Sequence, residues 1–218
     1  MKKLSLIIFF LVCTVSLFAQ NPPFYNDIQK FKKQDSLNFP ARNAVLFIGS
    51  SSFTKWTDVQ DYFPGYKIIN RGFGGSTLPD LIRYTDDIVT PYKPKQVVIY
   101  CGENDIASSD TITAETVAQR FVTLFVAIRK VYPKVTIDFI SMKPSPSREQ
   151  FLPKLQSANQ QIKDYIATQK RAAYIDIYPY MMHENGSPRK ALFIEDMLHM
   201  NKHGYAIWQY AILPYLKK

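Results

Sequence analysis

AVLFIGSSS (44–52), YKIINRGFGGS (66–76) and QVVIYCGEND (96–105) decide the fold. Each is a short run of β-branched, aliphatic and aromatic residues that ends in glycine and small polar residues. Near-continuous apolar runs with little alternation suit parallel strands covered on both faces. Two further runs of the same kind follow, VTIDFIS (135–141) and AYIDI (173–177). Strands are therefore expected at 44–49, 66–70, 96–101, 135–141 and 173–177.

Helical patterns separate these runs. From Thr113 to Val131, Val117, Phe121, Leu124, Phe125 and Ile128 recur at three- and four-residue spacing, and Pro133 ends the pattern. Ser147 to Gln169 continues similarly through Phe151, Leu155, Ile162 and Ile166, with Pro153 near its start. Shorter helices are expected at 26–34 and 78–84, and a closing one at 204–216. Strands alternating with helices predict an α/β domain built on a mostly parallel sheet, spanning residues 20–218. In such sheets ligands bind outside the carboxyl ends of the strands. Chemistry is therefore sought just after each strand.

The chain has 218 residues, 46% of them hydrophobic, which suits one sizeable core. Its formal net charge is +9, but Lys30, Lys32, Lys33, Lys93, Lys95, Arg129, Lys130, Lys134, Lys170, Arg171 and Lys217 are dispersed. No basic run is interleaved with aromatics, so nucleic acid is not an expected partner. Lys2 and Lys3, the apolar run Leu4 to Phe18, and small Ala19 before polar Gln20 and Asn21 are laid out as a secretory signal peptide, residues 1–19. About twenty apolar residues are needed to span a bilayer, and this run is shorter. An uncleaved anchor, or a lipoprotein modified at Cys13, is the alternative. Cleavage after Ala19 implies a secreted or periplasmic protein, not inserted in a membrane, with Cys101 as its one cysteine and no internal disulfide. Oligomeric state is not legible.

Three strands lead into candidate chemistry: the first into Gly49-Ser50-Ser51-Ser52, the second into Arg71-Gly72-Phe73-Gly74-Gly75-Ser76, the third into Cys101-Gly102-Glu103-Asn104-Asp105. A fourth element, Asp196-Met197-Leu198-His199, precedes the last helix. Acyl transfer needs a hydroxyl nucleophile, a base for its proton, a group that orients the base, and donors for the developing oxyanion. Serine at a strand-to-helix turn supplies an exposed Oγ and a backbone N–H. Glycine lets a second N–H come close, and an asparagine amide adds an uncharged donor. An aspartate three residues before a histidine can reach the imidazole Nδ1–H and fix the tautomer.

These blocks, in this order, resemble the SGNH, or GDSL-like, hydrolases: Gly49-Ser50-Ser51, then Gly75, then Gly102-Glu103-Asn104-Asp105, then Asp196-Met197-Leu198-His199 and its extension to Tyr205. The resemblance covers residues 44–210. It implies a flavodoxin-like three-layer α/β/α sandwich with a five-stranded parallel sheet, and ester or thioester hydrolysis through an acyl-serine, with no cofactor and no metal. It further implies Ser51 as nucleophile, His199 as general base and then acid, and Asp196 as its orienting group. The oxyanion hole would be formed by the Ser51 and Gly75 N–H groups and the Asn104 amide. In one departure, Ser50 stands where the family's first block has aspartate, which removes a charge near the base but no triad member.

Other readings stand beside these. Ser50 to Ser52 also read as a plain helix cap. Gly72, Gly74 and Gly75 miss the dinucleotide spacing. Asp196, His199 and His203 invite a metal, but Gly204 fits a loop-to-helix boundary better. Glu103 is left open between an exposed and a functional residue, Asp105 reads as a structural cap, and Trp56 as either packing or pocket wall. The expected substrate is a small-molecule or carbohydrate ester, with O-acetylated sugars first. A short-chain lipid ester, a thioester, or a non-catalytic binding module on the same scaffold are the alternatives.

Overall fold

A computed structural model describes residues 21–218; the predicted leader, with Cys13, lies outside them. Five strands form one sheet: β1 Val45–Gly49, β2 Ile68–Gly72, β3 Gln96–Tyr100, β4 Thr136–Ile140 and β5 Ala172–Ile175. Every neighbouring pair is parallel, and the order is β2-β1-β3-β4-β5. This is the flavodoxin-like doubly wound arrangement, whose strand order reverses between β1 and β3.

Nine α-helices connect or flank the strands among the described residues: α1 Tyr25–Leu37, α2 Ser51–Thr54, α3 Val59–Tyr62, α4 Leu78–Arg83, α5 Thr85–Ile88, α6 Glu103–Ser108, α7 Ala114–Val131, α8 Leu152–Ala167 and α9 Lys202–Ile212. The alternation of side chains along each strand divides the apolar residues between two cores. Leu46, Ile48, Val97, Ile99, Ile137 and Phe139 face α4, α5, α7 and α8, with Ile28 of α1 added. Val45, Phe47, Val98, Tyr100 and Ile140 face Phe53, Trp56, Phe63 and α9, which contributes Tyr205, Trp208 and Ile212. With both faces covered, β1 and β3 are buried along their whole length. That is why they read as unbroken apolar runs.

Among the boundaries that differ from expectation, three bear on the site, two for tertiary reasons and one because of a proline. β2 runs two residues beyond Asn70, because Arg71 and Gly72 pair with Ile48 and Gly49. Arg71 is buried on the α1 side, where it is paired with Asp35 and donates to the Tyr92 hydroxyl. β5 stops at Ile175, and the Ser141 hydroxyl then accepts the Ile177 and Tyr178 N–H groups that a longer ladder would have used. Helix α8 starts at Leu152, with Pro153 in its first turn. Residues 146–151 form a 3₁₀ turn kinked at Arg148.

Candidate active site

The site is assembled at the carboxyl ends of β1, β2 and β3, beside the point where the strand order reverses. Gly49 ends β1, and a Cβ there would lie 2.0 Å from the Tyr100 carbonyl oxygen, so only glycine lets β1 and β3 run together to this edge. Ser50 is buried beneath the turn, and its hydroxyl does not cap the helix. Ser51 is the first residue of α2 and half-buried.

Ser51 Oγ lies 2.9 Å from His199 Nε2, joining residues 148 positions apart. His199 Nδ1 lies 2.6 Å from Asp196 Oδ2. The turn that carries both is closed by a Phe193–Met200 bridge and by the Ile194 N–H donating to the His199 carbonyl at 2.9 Å. Met197 enters the left-handed region at φ 53° to make it that tight. Burial pushes the Asp196 carboxyl up. Hydrogen bonds from the His199 ring and from the His199 and Leu198 N–H groups outweigh it, and hold the group at about 2. An ionised carboxylate only accepts, so Nδ1 carries a proton, and Nε2 is the ring nitrogen that faces Ser51.

Gly75 sits at φ 83°, a conformation that strains other residues. Among the described residues, neither its N–H nor that of Ser51 donates to a protein acceptor. The Phe24 ring stands beside Gly75, 3.8 Å from where its Cβ would be, and meets Phe73 edge-on. Asn104, in the first turn of α6, donates from Nδ2 to the Ser76 carbonyl at 3.0 Å and accepts at Oδ1 from Arg148 Nη2 at 2.9 Å. One amide N–H thus stays available. All five residues singled out in the sequence lie around this edge: Ser51 and Asn104 in the first turns of α2 and α6, and Gly75, Asp196 and His199 in loops and turns.

Sequence reasoning missed the cluster behind them. Glu103 is buried, not exposed. Its Oε2 accepts from Lys143 Nζ and the Tyr100 hydroxyl, each at 2.6 Å, and its Oε1 accepts from Ser145 Oγ at 2.8 Å. Arg148 Nη1 lies 3.5 Å from the same Oε1. Burial pushes the Glu103 carboxyl up, but the charges of Lys143 and Arg148 prevail and keep it below its ordinary value. Lys143 is buried too, which draws its ammonium down against the pull of Glu103. A signal was present: SMKPSPSR (141–148) follows β4, so its charges had to reach the same sheet edge.

The remaining residues resolve simply. Asp105 is fully buried and accepts from the Leu78 N–H at the start of α4 and from Arg120. Trp56 does not wall a pocket; it is fully buried and stacked on Tyr205. His203 is exposed in the first turn of α9, and His183 lies in an exposed turn. Among the described residues, no group of three or more His, Cys, Asp or Glu side chains is placed to hold a metal ion, and no helix is long and apolar enough to cross a membrane.

A hydroxyl, an imidazole and a carboxylate in one hydrogen-bonded line, at the switch point of a parallel sheet, define the class of hydrolases that act by acyl transfer. The profile of the GDSL-like lipase/acylhydrolase family matches residues 48–207, and the chain belongs to that family. It is an ester-hydrolysing enzyme. A comparison with curated protein sequences finds no match.

Solved structures share the fold at low identity. A provisionally assigned acylhydrolase from Bacteroides fragilis is 23% identical, with a TM-score of 0.75 over 88% of this chain and 96% of its own. A GDSL-like lipase from Bacteroides thetaiotaomicron is 20% identical, with a TM-score of 0.74 over 86% and 96%. A family 3 carbohydrate esterase from Clostridium thermocellum is 15% identical, with a TM-score of 0.60 over 79% and 96%.

Proposed function

We propose that this protein is an exported serine esterase that removes O-acetyl groups from carbohydrates through an acyl-serine intermediate. The observation that carries the mechanism is the line Ser51 Oγ, His199 Nε2, His199 Nδ1, Asp196 Oδ2, with steps of 2.9 and 2.6 Å. As Oγ attacks the ester carbonyl, its proton passes to Nε2. The imidazolium that forms is stabilised and kept in place by Asp196. The carbonyl oxygen, now negative, takes hydrogen bonds from the Ser51 and Gly75 N–H groups and the free N–H of Asn104. His199 then returns the proton to the leaving alcohol, and water repeats the sequence on the acyl-serine.

The choice of acyl group rests on Phe24. Its ring stands beside Gly75, one of the proposed oxyanion donors, and on this reading would crowd an acyl group longer than acetate. The choice of a sugar as leaving group is supported by fold neighbours named as carbohydrate esterases and by the signal-like N-terminus, which suits a polar extracellular substrate.

The test is hydrolysis of p-nitrophenyl esters from acetate to octanoate and of acetylated saccharides, wild type beside Ser51→Ala. The expected result is activity on acetate and acetylated sugar, lowered about 10⁴- to 10⁶-fold by the substitution. Turnover that rises with chain length would move the substrate to lipids or thioesters. No ester turnover at all would leave the binding-module reading in its place. Export is tested separately by the mass of the secreted protein, which should begin near Gln20.

A further inference from the structure

The Asn104 amide has two possible orientations, and only one turns a donor to the oxyanion. In the structure both neighbours enforce that one. The Ser76 carbonyl takes one Nδ2–H at 3.0 Å, and Arg148 Nη2 donates to Oδ1 at 2.9 Å. A flipped amide would set Oδ1 against a carbonyl and NH₂ against a guanidinium, losing both hydrogen bonds and adding two repulsions. Arg148 is the one charged member of this pair of contacts, and a hydrogen bond to a charged group is the stronger kind.

Arg148 is itself held from two sides. Its Nη1 lies 3.5 Å from Glu103 Oε1, and Glu103 is anchored by Lys143, Tyr100 and Ser145. Its backbone is kinked at φ −123°, ψ 24°, with its N–H donated to the Ser145 carbonyl at 2.9 Å. The next residue back, Ser147, donates its N–H to the Met197 carbonyl in the turn that carries His199. The segment 143–148 therefore links the buried carboxylate, the amide and the base turn.

We propose that Arg148 is a positioning residue of the esterase, whose guanidinium, braced by Glu103, holds the Asn104 carboxamide with Nδ2 toward the oxyanion. The inference rests on the reading of Asn104 as an oxyanion donor. It requires no contact between Arg148 and substrate.

A double-mutant cycle tests it, with kcat and KM for p-nitrophenyl acetate and thermal unfolding measured for wild type, Asn104→Ala, Arg148→Ala and the pair. Asn104→Ala should lower kcat about 10²- to 10³-fold. Arg148→Ala should lower kcat about 10- to 100-fold through lost orientation, with KM unchanged. In the Asn104→Ala background it should lower kcat no further. An equal loss in both backgrounds, a rise in KM alone, or no loss would each overturn the positioning role while leaving Asn104 intact. An unchanged kcat in Asn104→Ala would instead remove the oxyanion reading, and this inference with it. Glu103 keeps Lys143 when Arg148 is truncated, so the fold should persist. If Arg148→Ala does unfold at the assay temperature, Arg148→Met, which keeps most of the stem and has no donor for Asn104 Oδ1, is put through the same cycle with the same expectations.

Discussion

Asp196 grips His199 at two places. Its Oδ2 takes the ring Nδ1–H at 2.6 Å, and its Oδ1 takes the His199 backbone N–H at 2.8 Å and that of Leu198 at 2.9 Å. One carboxylate therefore fixes both the tautomer of the ring and the turn from which the ring projects.

Asp196→Asn separates these functions. An Asn Oδ1 can still accept the backbone N–H groups, so the turn should persist and thermal unfolding should change little. Its amide cannot accept from Nδ1–H where Oδ2 stood, so the ring is driven to the wrong tautomer. The expected loss in kcat is about 10⁴-fold. The wild-type carboxyl sits at about 2, below its ordinary value, so its stabilising contribution is present above the unfolded range near 4 and is lost as pH falls through about 2. Near-wild-type turnover in Asp196→Asn at neutral pH would remove Asp196 from the mechanism.

Gly72 lies under the nucleophile turn. A Cβ there would come within 2.6 Å of Phe53 Cβ and 3.1 Å of the Thr54 nitrogen, both in α2. One contact is helix backbone, so Gly72→Ala must push α2, and Ser51 with it, off the end of β1. The expected cost is about 1–3 kcal/mol in unfolding free energy, with kcat lowered about 10- to 100-fold because the nucleophile is displaced. Measured together, a stability loss with unchanged kcat would mean that the turn absorbs the methyl without moving Ser51.

How much of this was legible follows from where each signal lies. β1 and β3 are buried on both faces, so their composition alone marks them. β5 pairs with one strand only and ends where Ser141, far away in sequence, captures its next N–H groups; no local pattern encodes that. Asp196 and His199 are legible because they are three residues apart in one turn, and Ser51 because it follows a strand. The Glu103–Lys143 pair joins residues 40 positions apart. A fully buried lysine also runs against the ordinary expectation for that side chain. Its location after β4 was readable, and its burial was not. Arg148 is hidden for a further reason: the helical periodicity of the sequence starts at Ser147, whereas Pro153 delays α8 and leaves a kinked turn from which the guanidinium reaches Asn104.

Phe24 gives a prediction about substrate range. Removing its ring should open the space beside Gly75 without touching Ser51, His199 or Asn104. Phe24→Ala is expected to raise kcat/KM for butyrate and longer p-nitrophenyl esters relative to acetate. An added methylene in an apolar pocket is worth about 1–3 kcal/mol, so the ratio should shift at least about tenfold. An unchanged chain-length profile would show that the acyl group lies elsewhere.

The last prediction concerns a carboxylate outside the site. Asp138 is buried in β4, where it accepts from Gln96, and Gln96 in turn donates to the Tyr215 carbonyl at 2.9 Å and accepts from the Lys217 N–H at 2.7 Å. Burial pushes the Asp138 carboxyl up to about 6, against the Gln96 hydrogen bond and the charge of Lys217. Between the unfolded value near 4 and this folded value, the native state binds more protons than the unfolded one, so stability falls as pH rises through that window. The difference is on the order of 3 kcal/mol. Asp138→Asn keeps an acceptor for Gln96 and removes the titration. Urea unfolding from pH 4 to pH 8 should therefore show wild type losing stability toward pH 6 relative to the variant, and Asp138→Asn the more stable above it. Parallel curves across the whole range would mean that Asp138 ionises in the folded protein at its ordinary pH, and that the strap formed by Tyr215 and Lys217 admits enough water to solvate it.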